Sequence, residues 1–215
     1  ISERKNCIIR NATNMSKQSH IIAANVSQSV LIATIESPRT SFGFIDRFLV
    51  SSEAYNVPSV IVFNKIDIYS ETANKKLNEY NELYKKIGYT VVNVSALKGT
   101  NIDLLKEILK DKTSLISGHS GVGKSHIINA IDNSLSLKTG KISDYHQKGK
   151  HTTTFAEMHK LSFGGKIIDT PGIKEFALFD FEAWELGHWF LEFKEFIPKC
   201  RFTNCKHKNE PNCAV

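Results

Sequence analysis

Between about residues 29 and 169 the apolar positions follow two rhythms. Residues 30–35, 59–63, 90–94 and 113–117 are short runs rich in Val, Ile and Leu, the pattern of strands buried on both faces. Between the runs, apolar residues fall three and four apart: Phe44, Ile45, Phe48 and Leu49, then Leu77, Tyr80, Tyr84 and Ile87, then Ile102, Leu105 and Leu109. That spacing predicts amphipathic helices. Strand and helix in alternation predict the α/β class, a mainly parallel sheet with helices on both faces. Residues 155–163 and 166–168 flank Gly164 and Gly165 and predict an antiparallel hairpin with a tight two-glycine turn. Residues 1–25 read as polar and irregular, with only Ile8 and Ile9 suggesting a short strand. Residues 176–215 concentrate aromatics, among them Trp189, Phe190, Phe193 and Phe196, which read as core or an inter-domain contact rather than a base-stacking platform.

Composition adds exclusions. With 41% hydrophobic and 23% charged residues, the 215-residue chain is not largely disordered. The apolar stretches are too short to cross a bilayer, so no membrane partner is expected. Twenty-eight Lys+Arg against 22 Asp+Glu leave a net charge of +6, compatible with a phosphate-rich partner. The opening ISERKN lacks the apolar core of a signal peptide and an initiator Met, so the chain reads as a piece of a longer one. Cys7 stands alone, whereas Cys200, Cys205 and Cys213 crowd the end. That asymmetry points away from a secreted disulfide framework, toward a reducing compartment with one local cysteine-based site, and the expected localisation is cytoplasmic.

The first chemical motif follows the apolar run 113–117. Gly118, His119, Ser120, Gly121, Val122, Gly123, Lys124 and Ser125 fit G-x-x-x-x-G-K-[ST] and precede a helical pattern over 124–131 that includes His126. Glycines let the backbone wrap a phosphate chain, while N–H groups and a helix N-terminus supply positive potential. Lys124 would reach the β- and γ-phosphates and the Ser125 hydroxyl would hold Mg²⁺.

The base is read elsewhere. Asn64-Lys65-Ile66-Asp67 fits N-K-x-D, and an aspartate can accept from both guanine N1–H and the exocyclic amine. Adenine would leave Asp67 desolvated and unpaired, which discriminates strongly. Lys65 can lie over the base and Asn64 can tie neighbouring loops. Ser95, Ala96 and Leu97, followed by Lys98, would turn a backbone N–H toward guanine O6. Asp169-Thr170-Pro171-Gly172 fits D-x-x-G: Asp169 would touch Mg²⁺ through water and the Gly172 N–H would sense the γ-phosphate. A threonine must close over Mg²⁺ between these motifs. Thr152, Thr153 and Thr154 all qualify, with Thr153 first and Thr154 second.

Along the chain the order is N-K-x-D, S-A, phosphate loop, threonine, D-x-x-G, whereas GTPases ordinarily begin with the phosphate loop. A circular permutation would assemble the same site. The chain resembles the circularly permuted GTPases of the ribosome small-subunit-dependent GTPase A family: N-K-I-D, S-A-L-K-G, G-H-S-G-V-G-K-S, G-K-H-T-T-T and D-T-P-G-I occur in that order, as does a terminal C-x₄-C-x-H-x₅-C. The resemblance implies an N-terminal OB-fold (largely missing here, residues 1–25 being its tail and linker), a permuted GTPase domain over 26–178 and a truncated zinc domain over 179–215. It also implies a factor acting late in assembly of the small ribosomal subunit and contacting its rRNA; apart from the resemblance, the chain is expected to be a monomer.

Two details bear on chemistry. Ile173 stands where many GTPases place a water-orienting glutamine, so intrinsic turnover should be slow. His151 is the local candidate for that role, since an imidazole can accept from water near neutral pH, and the resemblance also implicates it in the first switch. Cys200, Cys205, His207 and Cys213 supply three thiolates and an imidazole, a closed set for structural zinc. Lys199, Arg201, Lys206 and Lys208 around it suit RNA phosphates. The expected function is GTP hydrolysis by an Mg²⁺-dependent factor on the small subunit. The rivals are a zinc-stabilised RNA-binding module with a weakly hydrolytic nucleotide site, and an adenine-nucleotide enzyme.

Overall fold

A computed structural model of the chain describes residues 3–11, 19–137, 157–169 and 185–215. Its centre is a six-stranded sheet: β3 (Gln28–Ala33), β4 (Ser59–Phe63), β5 (Thr90–Asn93), β6 (Thr113–Ser117), β7 (Glu157–Lys160) and β8 (Lys166–Asp169) in the order β5-β4-β3-β6-β8-β7. All pairings are parallel except β7 with β8, at one edge. Alternate residues of the apolar runs serve opposite faces. Val30, Ile32, Val60, Val62 and Ile116 pack with α3 (Ile102–Leu109) and α4 (Lys124–Ile131). Leu31, Ala33, Ile61 and Phe63 pack with α1 (Phe42–Ala54) and α2 (Glu71–Ile87). This two-sided burial is why the strands lack polar alternation.

The helix faces read from the sequence are the buried ones, from Phe44, Ile45, Phe48 and Leu49 on α1 to Leu105 and Leu109 on α3. Serines start the two longest helices. Ser41 Oγ accepts from Phe44 N at 3.3 Å and Ser70 Oγ from Ala73 N at 3.2 Å, while Gly88 ends α2 in a left-handed conformation.

Two elements differ from expectation. β1 (Cys7–Asn11) pairs antiparallel with β2 (Ser19–Ala24), so the stretch near Ile8 is half of a hairpin rather than a lone strand. Ile8 and Ala23 are buried with Val26, Val57, Leu115 and Ile168, so tertiary packing supplies the order that this polar stretch does not advertise. The β7–β8 connection is also longer than a two-glycine turn. β7 stops at Lys160, and residues 161–165 close through Leu161 N to Gly165 O at 3.1 Å and Gly164 N to Leu161 O at 3.2 Å. Leu161 turns into the core. Gly165 answers a close approach: a Cβ there would stand 2.7 Å from Leu109 O and 2.9 Å from Lys112 O.

Asp132, just past α4, anchors that hairpin. Its carboxylate accepts from Ser162 N at 2.6 Å, Ser134 Oγ at 2.6 Å and Ser134 N at 3.0 Å. Burial works to raise its pKa, but the donors from Ser134 and Ser162 prevail and hold the carboxyl at about 2. A depressed folded-state pKa contributes stability that is fully present above the ordinary carboxyl value of 3.8 and lost as pH falls through about 2. Asp132→Ala should therefore cost about 1–3 kcal/mol at neutral pH, with the gap to wild type narrowing between about pH 4 and 2. Urea unfolding across that range measures it.

Candidate functional site

The loops that follow β3, β4, β5 and β6 gather at the carboxyl edge of the sheet, where open α/β sheets bind ligands. The phosphate loop, residues 118–123, runs from β6 directly into α4. Gly118, Gly121 and Gly123 have φ of 149°, 84° and 93°, a conformation that side chains resist. A Cβ on Gly118 would overlap Ile32 O, and one on Gly123 would stand 2.5 Å from Asn64 Nδ2. Lys124 Nζ donates to Gly118 O at 2.7 Å and His119 O at 2.8 Å, so its ammonium lies inside the arc of the loop. Burial lowers the Lys124 pKa and the Asp169 carboxylate opposes that, with the net shift downward. Ser125 and the exposed His126 follow in the first turn of α4.

The N-K-x-D and S-A segments meet this loop through Asn64. Its Nδ2 donates to Val122 O at 2.9 Å and its Oδ1 accepts from Ala96 N at 3.1 Å, so one buried amide ties three loops together. Lys65, left-handed at φ 67°, has its Cε 4.0 Å from the point where a Gly123 Cβ would stand. Asp67 is exposed in the 3-10 turn Ile66–Ile68, and Ser95 Oγ donates to its Oδ1 at 2.5 Å. Ser95 Oγ also accepts from Lys98 N at 3.0 Å, while Leu97 projects into solvent.

The side chain of His119 turns toward α1. Its ring lies on Phe44 of α1 with centroids 3.7 Å apart, tilted 32°. Burial, then the Lys124 and Arg47 cations, lower its pKa and favour the neutral ring. The amphipathic pattern marked Phe44 only as core. His151, Thr152, Thr153, Thr154, Gly172 and Ile173 lie outside the described residues, and Asp169 ends β8, opposite Ile116 of β6.

At the other end of the chain, ligand atoms of Cys200, Cys205, His207 and Cys213 all lie within 4.8 Å of one another. A tetrahedral Zn²⁺ at about 2.3 Å from sulfur needs ligand separations of about 3.7 Å, so the set fits. His207 Nδ1 faces the thiols, 3.7 Å from Cys200 Sγ and 3.5 Å from Cys213 Sγ. Its buried Nε2 has no hydrogen-bond partner among the described residues and faces Gly187, where a Cβ would stand 3.0 Å away and only 2.6 Å from Cδ2. Ala214 N donates to Cys200 Sγ at 3.4 Å, which lowers that thiol's pKa. Glu210, unremarked in the sequence, accepts from Lys206 N at 2.8 Å, Lys208 N at 2.9 Å and Asn209 N at 3.2 Å, shaping the turn that carries His207.

This edge defines a P-loop nucleotide protein with the loop order of a permuted GTPase. The chain belongs to the RsgA GTPase family, which it matches over residues 1–179. It is 54% identical to "Small ribosomal subunit biogenesis GTPase RsgA" of Phocaeicola vulgatus, across 100% of this chain and 69% of that protein. The corresponding figures for "Small ribosomal subunit biogenesis GTPase RsgA 2" of Bacteroides thetaiotaomicron are 53%, 100% and 69%. Among solved structures, YjeQ from Thermotoga maritima aligns with a TM-score of 0.77 and 38% identity, covering 99% of this chain and 67% of that one. YloQ, described as a circularly permuted GTPase, aligns at 0.69 and 28%, covering 97% and 70%.

Proposed function

We propose that this chain is a GTP-hydrolysing factor that binds the small ribosomal subunit and acts in its late assembly. The observation that carries the reading is the Asn64 bridge, which makes the phosphate loop and the N-K-x-D turn walls of one cleft. Such a cleft suits a guanine nucleotide with Asp67 at the base edge, Ser95, Ala96 and Leu97 beside it, Lys65 along the ring, and residues 118–126 around the phosphates. The names of the relatives support the ribosomal assignment.

Ser125 and Thr153 are proposed to hold Mg²⁺, with Asp169 acting through water, and Gly172 to sense the γ-phosphate. The proximity of Asp169 to Lys124 supports this grouping. The ion would neutralise charge on the β- and γ-phosphates. Lys124 would exchange its two carbonyl partners for phosphate oxygens, and His151 would orient the attacking water. The C-terminal set would hold one Zn²⁺, leaving no open coordination position for catalysis.

The proposed division is 1–25, 26–178 and 179–215, and the family match ending at residue 179 supports the last boundary. The C-terminal unit leans on α1. Lys194 Nζ lies 3.1 Å from Glu53 Oε2, Leu191 packs on the α1–α2 core, and Phe44 of the same helix touches His119. Nucleotide state thus has a contiguous route to the zinc knuckle, whose lysines and arginine would meet rRNA. A cytoplasmic monomer fits this role, and no described helix is long and apolar enough to cross a membrane.

The test is GTP turnover by the full protein with and without purified small subunits. Stimulation of at least about tenfold, or about 1.4 kcal/mol off the barrier, is expected. Equal rates would favour an RNA-binding module with a barely hydrolytic site.

A further inference from the structure

The N-K-x-D turn must hold a backbone shape that its residues resist. Lys65 is left-handed at φ 67° and ψ 29°, a conformation that a residue with a Cβ resists. The peptide before Asn64 is tied to β3, Asn64 N donating to Ala33 O at 2.9 Å. The peptide plane between Asn64 and Lys65 is fixed through its carbonyl, for Asn64 O accepts from the hydroxyl of Tyr69 at 2.6 Å. That hydroxyl accepts in turn from Ile35 N at 2.9 Å. Burial pushes the Tyr69 pKa up to about 12, so the proton it donates is held throughout the physiological range.

Tyr69 therefore joins the N-K-x-D turn to the loop after β3, and two further ties run in parallel. Glu36 accepts from Ser70 N at 2.7 Å, and Lys65 Nζ donates to Ser37 O at 2.5 Å. Pro38 in the same loop leans on the phosphate loop, its Cδ 3.5 Å from the position of a Gly121 Cβ. Of these ties only Tyr69 is buried and grips the backbone of the strained turn.

We propose that Tyr69 is a positioning residue for guanine discrimination, holding the Asn64–Lys65 peptide so that Asp67 is presented to the base edge. The inference rests on the guanine reading of the cleft. Without the hydroxyl, Asn64 O and Ile35 N lose their shared partner and the peptide is released to rotate out of the left-handed turn. Asp67 then swings away from the base while the phosphate loop, held by its own glycines and by the Asn64 side chain, stays in place. The signature is loss of selectivity rather than uniform loss of binding.

The experiment titrates GDP and ADP into wild type, Tyr69→Phe and Asp67→Asn. Tyr69→Phe keeps the ring and removes only the oxygen. Its GDP affinity should fall about tenfold with ADP affinity within about twofold of wild type, lowering the GDP:ADP ratio about tenfold. A general loosening would weaken both nucleotides alike and leave the ratio untouched, which overturns the proposal. In a Lys65→Gly background, where the left-handed turn no longer needs holding, adding Tyr69→Phe should change the ratio less than about twofold. A full tenfold effect there also overturns it, and this arm stands if the single variant does not fold. A wild type that binds GDP and ADP equally would instead sink the guanine reading itself. Selectivity abolished by Asp67→Asn but unchanged by Tyr69→Phe would sink only the role of Tyr69.

Discussion

Asn64→Ala should weaken GDP binding by about a hundredfold, although the side chain touches its neighbours rather than the base. The amide makes a buried hydrogen bond to Val122 O and a partly buried one from Ala96 N, and truncation leaves both backbone groups without their partner. Each orphaned group costs about 1–3 kcal/mol, and a combined loss near 3 kcal/mol corresponds to about two decades in affinity. The damage falls on binding because the bridge defines the spacing between phosphate loop and base turn, and a ligand gripped at both ends is sensitive to that spacing. Asn64→Asp is a sharper probe. It keeps an acceptor for Ala96 N but sets a carboxylate oxygen against Val122 O, so it should bind no better than Asn64→Ala. Calorimetric titration of GDP into both variants, with far-UV circular dichroism to verify the fold, decides the matter. Affinities within about threefold of wild type would mean that the loops keep their spacing without the bridge.

How much of this was legible beforehand depended on the range of the interaction. Strands β3 to β6 and the four α-helices of the described residues announce themselves because burial on two faces, or on one stripe, writes a pattern into neighbouring positions. The phosphate loop and the terminal Cys/His cluster are equally plain, since chemistry at fixed short spacing leaves little freedom in sequence. Asn64 was expected to tie loops, but its partners at Val122 and Ala96 lie in loops that follow other strands, and no local pattern names them. Tyr69 was invisible for the same reason. A tyrosine after N-K-I-D-I looks like one more apolar residue until Ile35 is brought beside its hydroxyl. β2 was missed because its pairing with β1 and the burial of Ala23 are long-range facts. Gly187 was missed because the demand for it comes from the His207 ring.

Removing zinc should release the end of the chain while leaving the sheet intact. Residues 200–215 contain no helix or strand, and Cys205 is the only hydrophobic side chain there that is fully buried. Their order rests on a few backbone bonds, such as Arg201 N to Asn212 O at 3.4 Å and Cys213 N to Glu210 O at 3.2 Å, and on convergence of the four ligands. Without a cation, three thiols and an imidazole packed this closely gain little from one another, whereas a structural zinc site contributes on the order of 10 kcal/mol. Chelation, or Cys205→Ser, should therefore strip amide protection from 200–215 and loosen the turn Glu185–Trp189 that abuts His207 through Gly187. The β3–β6 core should exchange as before. Native mass spectrometry should count one zinc per chain, and hydrogen exchange before and after chelation maps the loss. Protection unchanged in 200–215 would show that the segment orders itself without metal. Acid offers an independent check, because the ligands bind zinc only when deprotonated and should release it as pH falls toward about 5. The Glu210 carboxyl, held at about 2 by the N–H groups of Lys208 and Lys206, stays charged throughout that range. Its turn is intact when the metal leaves, so the acid transition reports the ligands themselves.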